Sequence, residues 1–172
     1  MNPAVTERKT VHRWIWVWNF EKEERWLNEM AMEGWVLESI GFCTYHFVRC
    51  EPGEYIIRME MVDNDSDYRR FLEEIGAEYI GQMVKWIYFR RKAEMGPFDL
   101  LSGIDAKIQH LDRIDTMLKL VCLANIMLGI SNIMVGMTVS IANLLCAVLL
   151  SYALGRIHGK KEHLEAEREI HE

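Results

Sequence analysis

LVCLANIMLGISNIMVGMTVSIANLLCAVLLSYALG, residues 120–155, contains no charged side chain in 36 positions; Lys119 and Arg156 close it at either end. A helix crosses the hydrocarbon core of a bilayer in roughly 20 apolar residues. As one straight helix, 36 residues would run to about 54 Å at 1.5 Å each, well beyond a core of about 30 Å. Two crossings joined by a tight turn fit better. The turn is expected at residues 135–140, VGMTVS, where Gly136 frees the backbone and Thr138 and Ser140 can bond local peptide groups. The spans then fall near residues 117–134 and 140–157.

Each span carries a small or polar face. Cys122, Asn125, Gly129, Asn132 and Gly136 recur at helical spacing in the first, and Ser140, Asn143, Ala147 and Ser151 in the second. Helices in lipid associate through small residues and hydrogen bonds rather than through apolar burial. The expected hairpin contacts are therefore Asn125, Gly129, Asn132, Asn143, Ala147 and Ser151. Facing positions should sum to about 275, which sets Asn132 opposite Asn143 and Asn125 near Leu150 and Ser151. Between Lys119 and Arg156 neither span holds an acidic or basic residue, the usual mark of an ion or proton route, so the asparagines read as hairpin glue. Lys and Arg flank both outer ends (Arg113 and Lys119; Arg156, Lys160 and Lys161) and are missing from the turn. The positive-inside rule then puts both termini in the cytoplasm of a two-pass cell-membrane protein. Residues 1–14 have no apolar stretch and no small-residue cleavage site, and so do not read as a signal peptide.

The rest of the chain is long enough for one compact domain. Twenty Lys and Arg stand against 26 Asp and Glu, a net charge of −6, with the acids dispersed and no basic patch of the kind that binds nucleic acid. The four cysteines form no CxxC pair and read as free structural thiols. The histidines do not cluster, and there is no HExxH, GxSxG, P-loop or GxGxxG, so no metal, cofactor or catalytic residue is expected.

Residues 11–18, VHRWIWVW, alternate as a strand with both faces apolar. Asn19 is placed to cap a helix over residues 21–33 that ends at Gly34, with Glu21, Glu23 and Glu24 suiting its first turn. Strands follow at 35–42, 43–50 and 55–62. A second helix at 67–75, with Phe71, Leu72 and Ile75 inward, closes on Gly76, and strands at 78–84 and 86–91 complete the domain. The pattern repeats: RWLNE at 25–29 matches RFLEE at 70–74, each is followed by a helix-ending glycine, and YHFVR at 45–49 parallels WIYFR at 86–90. The expected fold is α+β. Strand–helix–strand–strand is used twice, in a mostly antiparallel six-stranded sheet with two helices on one face, followed by a transmembrane helical hairpin. The domain boundaries expected are a tail at 1–10, the α+β domain at 11–92, a linker at 93–103, a juxtamembrane helix at 104–119, the hairpin at 120–157 and a charged tail at 158–172.

Four ordered blocks carry a likeness: EKEE-x-WLNEMA-x-x-GW at 21–35, Y-x-F-x-x-CEPGEY at 45–55, FLEE-x-G-x-EYIG at 71–81 and W-x-YFR at 86–90. Over residues 11–119 the chain resembles the bacterial family called domain of unknown function 2812. The resemblance implies an integral membrane protein, largely of Firmicutes, often encoded beside a PadR-like transcriptional regulator. It brings no activity and no catalytic residues. On topology alone, the duplicated unit is also similar to the effector-binding modules of GyrI-like proteins, which hold apolar ligands between repeats.

All six tryptophans precede residue 93. Trp14, Trp16, Trp18, Trp35 and Trp86, with Glu38 or Glu60 as an anchor, are the candidate residues of a cleft for an apolar cation. The competing reading packs them in the core, or on a face that docks on the membrane or on a second copy. The expected function is a membrane-anchored sensory or interaction domain that binds a protein or a small apolar ligand at the inner membrane face. The alternative is an accessory subunit of a membrane transporter, and an enzyme is least favoured. Membrane lipid, a PadR-like regulator, a transporter and a homo-oligomer are the partners considered.

Overall fold

The structure, a computed structural model, describes residues 7–62, 66–101, 103–134 and 138–171. It divides into two compact units between Leu100 and Leu101.

The first unit is the duplicated module. Strand β1 (Arg8–His12), helix α1 (Phe20–Met32), β2 (Trp35–Gly41) and β3 (Thr44–Arg49) form one repeat; β4 (Tyr55–Met61), α2 (Ser66–Glu74), β5 (Glu78–Met83) and β6 (Trp86–Lys92) form the other. Each repeat makes its own antiparallel three-stranded sheet with the same order, first strand, last strand, middle strand: β1-β3-β2 and β4-β6-β5. The likeness extends to detail. Both middle strands bulge, at Glu38 and at Ile80, and both helices end on a glycine in the left-handed region, Gly34 at φ 84° and Gly76 at φ 85°. A side chain there would be strained whatever the space, and a Cβ on Gly76 would also run into Met95.

The single six-stranded sheet expected from the sequence is thus two three-stranded sheets. β2 and β5 lie side by side without a ladder, joined by Arg90, whose Nη1 donates to the Leu37 carbonyl at 3.0 Å. Nor do both helices share one face of the second sheet. On β6, Ile87 and Phe89 pack with Leu72 of α2, whereas the alternate residues Trp86 and Tyr88 meet Phe20 and Glu23 of α1. Aligning the glycines sets Leu72 opposite Met30 rather than Leu27, so the RWLNE and RFLEE blocks are about one helical turn out of register.

Three further expectations give way. β1 stops at His12 because its partner begins at Thr44; the last bond is from the Arg13 N–H to the Cys43 carbonyl. Residues 13–16 are irregular and Val17–Asn19 form a 3-10 turn, so the strand expected at 11–18 is instead five residues long and starts inside the presumed tail. Asn19 makes no side-chain cap because that turn already leads into the helix. In α2 only Leu72 is buried; Phe71 and Ile75 are exposed. Their place against the sheet is taken by Phe98, from the stretch expected to be a linker, which is buried with Ile87, Phe89 and the Arg91 guanidinium.

The second unit is two long helices, α3 (Ile104–Met134) and α4 (Ser140–His171). The juxtamembrane segment and the charged tail are continuous with the spans. Of the turn expected at 135–140, residues 135–137 lie outside the described residues, 138–139 are a turn and Ser140 begins α4. Both helices are long and apolar enough to cross a membrane, and only 17% and 22% of their most apolar windows are buried. Leu120, Leu123, Met127, Ile130, Ile141 and Leu145 point outward, as lipid-facing residues do and the residues of a soluble core do not.

Facing positions sum to 273 along the whole pair: Cys122 with Ser151, Gly129 with Leu144, Asp112 with Lys161 and Asp105 with Arg168. The register is two positions from the expected 275. It seats Asn143 beside Gly129 instead of Asn132, and Asn125 bonds its own helix at the Val121 carbonyl. Residues 108, 111, 114, 118, 122 and 129 of α3 are buried, in steps of three, four and seven along one side of the helix. Beyond the uncharged stretch, Asp112–Lys161 (2.6 Å) and Asp105–Arg168 (3.1 Å) tie the helices together.

Candidate functional site

Helix α1 buries Phe20, Glu23, Leu27, Met30 and Ala31, the stripe that faces the sheets. Glu23 is thus an acid in an apolar column, 7% exposed. Its Oε1 accepts hydrogen bonds from the hydroxyls of Tyr45, on β3, and Tyr88, on β6, each at 2.8 Å. One tyrosine comes from each repeat, at positions the duplication leaves close to equivalent, so the carboxylate sits where the halves of the module converge. Burial pushes the Glu23 carboxyl above its ordinary range; the two hydroxyls and the nearby Arg13 guanidinium pull it partly back. Both phenols are pushed up, first by burial and then by that carboxylate. Trp26 packs edge-on to Tyr45 at 4.9 Å, and Arg13 lies on the Trp26 ring at 4.5 Å. The result is a desolvated acid walled by aromatic rings, with an exposed cation alongside.

The next turn of α1 does different work. Asn28 Nδ2 donates to the Ile57 carbonyl and Asn28 Oδ1 accepts from the Ile57 N–H, both at 2.9 Å, while Glu24 Oε2 accepts from the Met59 N–H at 3.1 Å. These side chains occupy the outer edge of β4. Burial also raises the Glu24 carboxyl, against Arg58 at 3.5 Å. Glu21, Glu24, Arg25, Asn28, Ile56 and Arg58 line an open groove of about 560 Å³.

The structure scatters the residues picked out by sequence. Trp14, Trp16 and Trp18 form a ladder with Phe42. Trp35 lies under Lys9 and Arg49. Glu38 pairs with Arg8 at 3.0 Å, Glu60 accepts from the Tyr68 hydroxyl at 2.6 Å, and Trp86 packs on Phe20. The ladder, the cation-covered Trp35 and the buried Trp86 are separate environments, and the groove contains none of them. Glu23 was read as a first-turn acid. The signal for it was its place in the 20, 23, 27, 30 stripe, where an apolar residue belongs. Among the described residues no cluster of His, Cys, Asp or Glu could hold a metal ion. His110 is buried in α3, ahead of the uncharged stretch.

No curated protein and no solved structure matches the chain. A family model does, over residues 19–123, from the start of α1 into α3. That is more than half of the chain, and the protein belongs to the family described as Protein of unknown function (DUF2812).

Proposed function

We propose that this protein is a two-pass, membrane-anchored sensory module. Its soluble unit faces the cytoplasm and takes a small apolar cation at the junction of its two repeats. The anchoring rests on the outward apolar faces of α3 and α4; the orientation rests on the Lys and Arg at their outer ends. The observation that carries ligand recognition is Glu23, a buried acid bonded by a tyrosine from each repeat. Arg13, on the ring of Trp26, occupies the place of a ligand's charge and moves aside on binding. The alternative is an accessory subunit of a membrane transporter, for which exposed small residues such as Ala124, Ala142 and Gly155 remain available, whereas Gly129, Ala147 and Cys122 meet the partner helix of the hairpin.

The test is a titration of the full chain, in detergent, with tetraphenylphosphonium, read by tryptophan emission. Saturable quenching that weakens in Glu23→Gln and strengthens in Arg13→Ala is the expected result. Quenching equal in all three proteins, or none, would refute the reading.

A further inference from the structure

The tryptophan ladder has an outward end. Trp18 is buried, Trp16 stacks on it at 4.8 Å and is 40% exposed, Trp14 meets Trp16 at 5.3 Å and is 59% exposed, and Phe42, at the tip of the β2–β3 turn, meets Trp14 at 6.0 Å and is 77% exposed. Three large rings in mutual contact thus stand in solvent, braced from below by a fourth. The packing of α1 does not require them there.

The neighbouring stretch is largely basic, with Arg8 paired to Glu38 and Glu7 exposed just ahead of β1. Residues 8–20 contain Arg8, Lys9 and Arg13 and not one acid, in a chain of net charge −6. Arg8, Lys9, His12 and Arg13 are exposed on or just after β1, an edge strand. Indole rings favour the water–lipid boundary, where an apolar body and a polar N–H are both accommodated, and a basic stretch beside them is attracted to anionic headgroups. We infer that Trp14, Trp16 and Phe42, with the basic residues of β1 and Arg13, form a contact surface for an anionic lipid bilayer. Charge complementarity favours lipid over a second copy, because the same patch on a second copy is equally basic. Trp14 and Trp16 precede the stretch matched by the family model.

Every tryptophan of the chain lies in the soluble unit, so bromine in lipid tails quenches tryptophan emission only when that unit touches the bilayer. The experiment uses the full chain in nanodiscs of phosphatidylcholine and phosphatidylglycerol, with and without brominated acyl chains. The expected result is bromine-dependent quenching that is lost in Phe42→Glu, reduced in Trp14→Gln, and weakened by salt or by removal of phosphatidylglycerol. Circular dichroism checks that both variants remain folded. Four results overturn the inference: failure to enter discs, no bromine-dependent quenching, quenching indifferent to Phe42→Glu, or a dimer in detergent that Phe42→Glu dissociates. None of these bears on Glu23, so the cation reading stands or falls separately.

Discussion

Replacing Tyr88 by Phe removes one of the two hydroxyls on Glu23 and leaves the ring in its buried position. A hydrogen bond to a charged acceptor contributes about 1.5–3 kcal/mol, and one between neutral groups about 0.5–1.5 kcal/mol. The loss should therefore depend on whether Glu23 is ionised. Glu23 has a raised folded-state pKa, so its contribution to stability is fully present below the ordinary carboxylate range and declines as pH climbs to the folded value. Both tyrosines limit that rise. Removing one raises the folded value further and widens the window over which stability is lost. Tyr88→Phe should cost the smaller amount near pH 4 and the larger amount near pH 8, a difference of about 1 kcal/mol. Because all six tryptophans belong to the first unit, denaturant unfolding of the full chain in detergent, followed by tryptophan emission, reads that unit directly. A cost independent of pH, or larger in acid, would refute the claim that the hydroxyls hold an ionisable Glu23.

Asn28→Ala removes both bonds to Ile57 and should lower the stability of the same unit by about 1–3 kcal/mol in the same assay. Asn28→Asp should do no better at neutral pH, since it sets a charge beside the Ile57 and Glu24 carbonyls that the amide now bonds. In the hairpin, a Cβ at Gly129 would come within 2.9 Å of Leu144 Cδ2. Gly129→Ala is accommodated by a turn of that leucine, whereas Gly129→Val should cost about 1–3 kcal/mol, seen as earlier loss of helical circular dichroism on heating in detergent; equal stability would contradict the register.

The order of elements could be read from the sequence because several carry one dominant period: 2 in β4, 3.6 in α1, and steps of three and four in α3 and α4. The same periods mislead where the partner is missing. Residues 13–18 alternate as a strand does, yet β3 ends opposite His12 and nothing remains to pair with them. Phe71 and Ile75 lie at helical spacing with Leu72, but Phe98, 26 positions beyond Leu72 in the chain, covers that part of the sheet. Local spacing does not disclose such long-range substitutions. The Glu23 cluster was hidden for a related reason: an acid near a helix start has a sufficient local explanation in the helix dipole, and its two tyrosines lie 22 and 65 residues away.

The cover that α1 lays over the margin of β4 binds the two halves of the duplication into one folding unit. Asn28 and Glu24 belong to the first half, and the backbone groups they satisfy, at Ile57 and Met59, belong to the second. A polypeptide comprising the second half alone would display those groups bare, an invitation to strand-by-strand polymerisation. An ancestor carrying a single copy would have needed a sister molecule to lend its helix, and fusion of two copies makes that loan permanent within one chain.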